Sequence, residues 1–96
     1  MNTTEYNSLS ALKERIEALA VEARELQKMV SPVHKSVEFT YCRMREGDKK
    51  YREFLRLMSI GFINDNLDGV IEYANAASDA LENALSDNVQ DISNNN

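Results

Sequence analysis

A chain of 96 residues with one Pro, three Gly and no Trp is a single small domain, able to bury roughly 60–65% of the surface its unfolded form exposes but too short for a deep core. One cysteine, Cys42, and one histidine, His34, exclude an intramolecular disulfide and a Cys/His zinc site, and no other metal or cofactor set is in view. No apolar run approaches the roughly 18 residues of a membrane span, and Met1-Asn-Thr-Thr-Glu-Tyr lacks the basic and apolar regions of a signal peptide, so a reducing cytoplasmic location is expected.

The net charge of −5 is unevenly laid out. Residues 1–40 sum to −1, residues 41–58 to +3, and residues 59–96 hold seven acidic groups with no Lys or Arg. Good helix formers dominate, which makes the chain all-α.

The first element is the most regular. Leu9, Leu12, Ile16, Leu19, Ala23, Leu26, Val30 and Val33 recur at alternating spacings of three and four, the pattern of one helix face. Asn2 or Thr3 is placed to cap this helix, with Glu5 in its first turn and Ser8 a later candidate cap. A helix from about Thr4 to Val30 is about 40 Å long. In heptad terms the a column is Leu9, Ile16, Ala23 and Val30; the d column is Leu12, Leu19, Leu26 and Val33. The flanking g and e residues give no interhelical ion pair, and Ala20 and Met29 broaden the face. A bundle helix is therefore the leading reading. A homodimer through Leu12, Ile16, Leu19 and Leu26 is the other.

Ser31-Pro32 should kink or stop that helix, because proline cannot donate to the ladder and clashes with the preceding turn. Residues 33–45 suit either a helix face or an alternating strand; a lone strand has nothing to pair with, which favours helix. Gly47 reads as a helix end and Asp48 as the next N-cap. Tyr51, Phe54, Leu55, Met58 and Phe62 make the face of a third helix from about Lys49 to Ile63. Asn64-Asp65-Asn66 reads as a turn, followed by a fourth helix to about residue 86 with an Ala-rich face and Gly69 in its first turn. The expectation is a small three- or four-helix bundle with a long first helix, a single domain over residues 1–90 and a disordered polar tail at 91–96.

Arg43, Arg45, Lys49, Lys50, Arg52 and Arg56 lie among Tyr41, Tyr51 and Phe54, the composition of a partner-binding surface or of a nucleic-acid contact. Asp65, Asp68, Glu72, Asp79 and Glu82 fall near one side of the fourth helix, where they either meet the basic third helix of the same chain or face a basic partner. The sequence Leu9-x-x-Leu12-Lys13-x-x-Ile16-Glu17, with Arg52-Glu53 and Ser78-x-x-x-Glu82, resembles the all-helical chorismate mutases. That family binds a dicarboxylate through several cations. The stretch Met29-Val-Ser-Pro-Val-His lacks the expected arginine, and Lys35 is a poor stand-in for the lysine that follows it. The leading expectation is a non-enzymatic protein–protein interaction module. The second is a nucleic-acid-associated protein, acting through the basic segment or by acidic mimicry.

Overall fold

The structure, a computed structural model, describes residues 1–94 and the side chains of residues 1–86. Two helices account for it, α1 (Thr3–Arg43) and α2 (Asp48–Asn94). The described residues are 93% helical and contain no strand. It is a helical hairpin rather than the expected three- or four-helix bundle. Residues 33–43, ambiguous in sequence, are helical. Of the polar tail expected at 91–96, residues 91–94 continue α2 and residues 95 and 96 lie outside the described residues.

The start of α1 follows its sequence signal. The Asn2 side-chain oxygen accepts from the Glu5 amide at 2.8 Å, and the Asn2 amide group donates back to the Glu5 carboxylate at 2.9 Å. Both partners are satisfied by one reciprocal cap.

Two expected breaks do not occur. α1 runs through Pro32. Pro32 is exposed, five residues after Gln27 and two after Val30, both half-buried, so its ring projects away from α2 and its loss is one ladder bond on the solvated side. α2 runs through Asn64-Asp65-Asn66, which therefore neither turns the chain nor caps a new helix. The Asn66 side chain donates to the Phe62 carbonyl at 2.7 Å, one turn back, while Asn64 is half-buried beside α1. Residues that favour turns because they compete for backbone groups here make those bonds inside the helix.

The connection is Met44–Gly47. Gly47 has φ of +146°, and its carbonyl accepts from the Tyr51 amide at 3.1 Å. It therefore opens α2 rather than closing α1, and Asp48 is already in the first turn rather than at the cap.

Contacts divide the chain into two compact units, Met1–Glu22 with Val70–Asn96, and Ala23–Gly69. In the first, Ala20 and Ala74 are buried among half-buried Leu9, Ile16, Ile71 and Leu81. In the second, Ala23 is buried among half-buried Val30, Val37, Leu57 and Leu67. In both, α1 meets α2 through the a column and the residue four further on (Lys13, Ala20, Gln27, His34, Tyr41). The d column is left outside: Leu12, Leu19, Leu26 and Val33 are 45%, 51%, 38% and 50% exposed.

The two solvent-facing glycines carry opposite expectations. A Cβ at Gly69 meets open space within α2, so Gly69→Ala should stabilise by about 0.5–1 kcal/mol, raising the thermal midpoint by several degrees. A Cβ at Gly47 also meets nothing, but its φ is one L-residues rarely adopt, so Gly47→Ala should destabilise by about 1–3 kcal/mol. Thermal unfolding followed by circular dichroism decides both signs, and equal shifts for the two variants would contradict this account.

Candidate functional site

The six basic residues singled out in the sequence gather at the loop end of the second unit. The Tyr41 and Phe54 rings meet at 5.9 Å between centroids and 44° between planes. Lys50 places its ammonium 5.0 Å from the Tyr41 centroid and pairs with Glu46 at 3.3 Å. Arg43 lies 5.0 Å over the Phe39 ring. Arg56 pairs with Glu53 at 3.0 Å. These three cations are occupied within the chain, each by a residue three or four positions away or by the ring across the hairpin.

Arg45, Lys49 and Arg52 differ. All three are exposed and make no ion pair among the described residues. The same segment holds an open cleft of about 260 Å³ lined by Tyr41, Glu46, Gly47, Lys50, Tyr51 and Phe54. Tyr51 is 62% exposed. Free guanidinium and ammonium groups beside an exposed aromatic ring form the most reactive recognition surface on this unit.

Further along the same unit, His34 is half-buried opposite Gly61 of α2; a Cβ there would lie 3.7 Å from Nε2, an ordinary van der Waals contact. His34 Nδ1 is 3.9 Å from Glu38. No sequence pattern pairs these positions, because Gly61 is 27 residues distant. Cys42 is an exposed free thiol.

The first unit holds a second polar cluster, which sequence reading met only as scattered positions. Lys13 donates to Glu17, and Ser78 Oγ donates to the same carboxylate at 3.2 Å. Asp79 and Glu82 act electrostatically on Lys13. Of the residues that carry the family resemblance, Lys13, Glu17, Ser78 and Glu82 gather here, with Asp79, as one cation among three carboxylates, whereas Arg52 and Glu53 belong to the second unit. That balance repels a dicarboxylate rather than cradling one.

Of the residues expected to drive self-association, Ile16 is half-buried against α2 within its unit, while Leu12, Leu19 and Leu26 stay exposed. No helix among the described residues is long and apolar enough to cross a membrane. Compared with protein-family models, characterised proteins and solved structures, the chain matches none significantly.

The Glu17 carboxyl lies below its ordinary value because Lys13, and secondly Ser78, donate hydrogen bonds to it. A depressed carboxylate contributes stability above its unfolded-state value and loses it as pH falls through the folded one. Lys13 is raised, chiefly by its hydrogen bond to Glu17, so its contribution is present below the ordinary lysine value and lost at high pH. Ser78→Ala should move the Glu17 titration upward towards the ordinary carboxylate value without reaching it, since Lys13 remains. An NMR titration of the Glu17 side chain measures this, and an unmoved value would remove Ser78 from the cluster.

Proposed function

We propose that this protein is a cytoplasmic, non-enzymatic interaction module whose loop end binds a partner protein. One observation carries the reading: an open cleft lined by Tyr41, Lys50, Tyr51 and Phe54 lies in the same loop-end segment as Arg45, Lys49 and Arg52, which are exposed and make no ion pair among the described residues. Aromatic and arginine side chains are the groups that dominate protein–protein contacts, because they cover large areas at modest entropic cost and still hydrogen-bond at their tips. The cytoplasmic assignment rests on the lone free thiol, Cys42.

A second reading keeps the same residues and changes the partner. Three free cations beside an exposed ring also suit phosphates and bases. Against it stands a sequence pI of about 4.8, far from the basic range of nucleic-acid binders. Acidic mimicry, the other form of this reading, draws on the exposed Glu72, Asp79 and Glu82 of α2.

The test is a tagged pull-down from the native cell, with and without nuclease. The interaction module predicts a stoichiometric protein that survives nuclease and is lost with Tyr51→Ala and Arg52→Ala, each weakening binding by roughly thirtyfold if it is a hot spot worth about 2 kcal/mol. Recovery abolished by nuclease, together with a steep fall in affinity with salt, would transfer the site to nucleic acid.

A further inference from the structure

We propose that the partner presents a single amphipathic helix with acidic flanks, laid along the apolar stripe Tyr51, Leu55, Met58 and Phe62 of α2. This deepens the loop-end reading above and rests on it. The whole surface lies on one helix within the second unit.

Pairing with α1 uses one side of α2 in this unit. Glu53, Leu57, Ile60, Asn64 and Leu67 are half-buried there. At 100° per residue, the four residues of the stripe fall within about 60° of one another on the opposite side. They are 62%, 47%, 58% and 70% exposed. Single exposed apolar residues are ordinary, but four in register over three turns form a patch that implies a contact.

The dimensions suit a helix. Tyr51 to Phe62 spans about 16 Å, the reach of anchors at i, i+4, i+7 and i+11 in a helix-in-groove contact. The cleft beside Tyr51 and Phe54, and a second of about 270 Å³ whose lining includes Leu57, Met58, Gly61 and Phe62, give anchoring side chains somewhere to enter. Met58 adapts its shape to what it meets. An extended peptide has no edge to join, because the described residues contain no strand.

Charge selects the occupant. Lys49, Arg52 and Arg56 follow one edge of the stripe and are exposed. Of these, Arg56 alone has an ion pair among the described residues, to Glu53. The acidic residues expected to lie against this basic helix are its own continuation in α2. Every ion pair among the described residues joins positions within four of one another. The edge therefore keeps positive charge that an acidic flank on the partner meets. Asp48 and Asp65 stand at the two ends of the stripe and disfavour the other occupants. A second copy laid antiparallel, Leu55 against Met58, brings Asp48 opposite Asp65 and both basic edges to one side. A parallel copy sets each carboxylate against its counterpart. An anionic membrane would meet both carboxylates at its surface, where interfacial helices carry Lys and Arg.

The test is fluorescence anisotropy with the full chain and two labelled helical peptides of about 15 residues. Both carry Leu at four anchor positions spaced as in the stripe; one is flanked by Glu, the other by Lys. The Glu peptide should bind with an affinity that falls with salt, and the Lys peptide roughly tenfold more weakly. Met58→Gln with Phe62→Gln, neutral helix formers at exposed positions, should keep the helicity and weaken the Glu peptide by roughly thirtyfold or more. Arg52→Gln with Arg56→Gln should narrow the gap between the peptides. Phe39→Gln, at a position 63% exposed but on α1, should change neither. No binding of the Glu peptide, equal binding of the Lys peptide, or indifference to the Met58 and Phe62 changes would each overturn the proposal. So would binding to phosphatidylserine vesicles that those changes abolish, which would assign the stripe to a membrane. A pull-down partner lost with Arg52→Ala but retained by the Met58 and Phe62 variant would overturn this inference and leave the loop-end reading standing.

Discussion

The rest of the structure depends on how α1 meets α2. Within each unit the contact is made by the buried alanines Ala20, Ala23 and Ala74, by half-buried aliphatic side chains such as Ile16, Val30, Leu67 and Leu81, and by long polar side chains such as Lys13 and Gln27. Small side chains let two backbones approach closely, but each removes little apolar area from water. Fully burying a leucine contributes about 1.5–3 kcal/mol, against a backbone cost of roughly 1–2 kcal/mol for each residue ordered. The half-buried aliphatic residues therefore supply most of the apolar stability within each unit, while Leu12, Leu19 and Leu26 of the d column stay exposed.

Connectivity compounds this. Because α2 is one helix from Asp48 to Asn94, its basic beginning and acidic continuation belong to a single element. The ion pairs that do form, such as Lys28 with Glu25 and Arg56 with Glu53, are local and exposed, worth a few tenths of a kcal/mol. They steady individual turns and leave the separation of charge between the units untouched.

Periodicity made the helices legible, and Asn2 with Glu5 made the start of α1 legible, because both signals are local. The breaks were misread for a related reason. Pro32 and the Asn64–Asn66 run were judged by propensity, yet whether such residues stop a helix depends on which side they occupy and what bonds they find. Pro32 lies on the solvated side, Asn66 bonds back to Phe62, and Asn64 faces α1. The choice of contact columns was equally hidden. Lys13, Gln27 and His34 are polar, and their half-burial follows from what they face on α2: Asp68 accepting from Gln27, and Gly61 lying opposite His34. At the loop end the six cations were found where the sequence put them. Their division into occupied and free needed the Tyr41 ring beneath Lys50, a contact set by the hairpin turn.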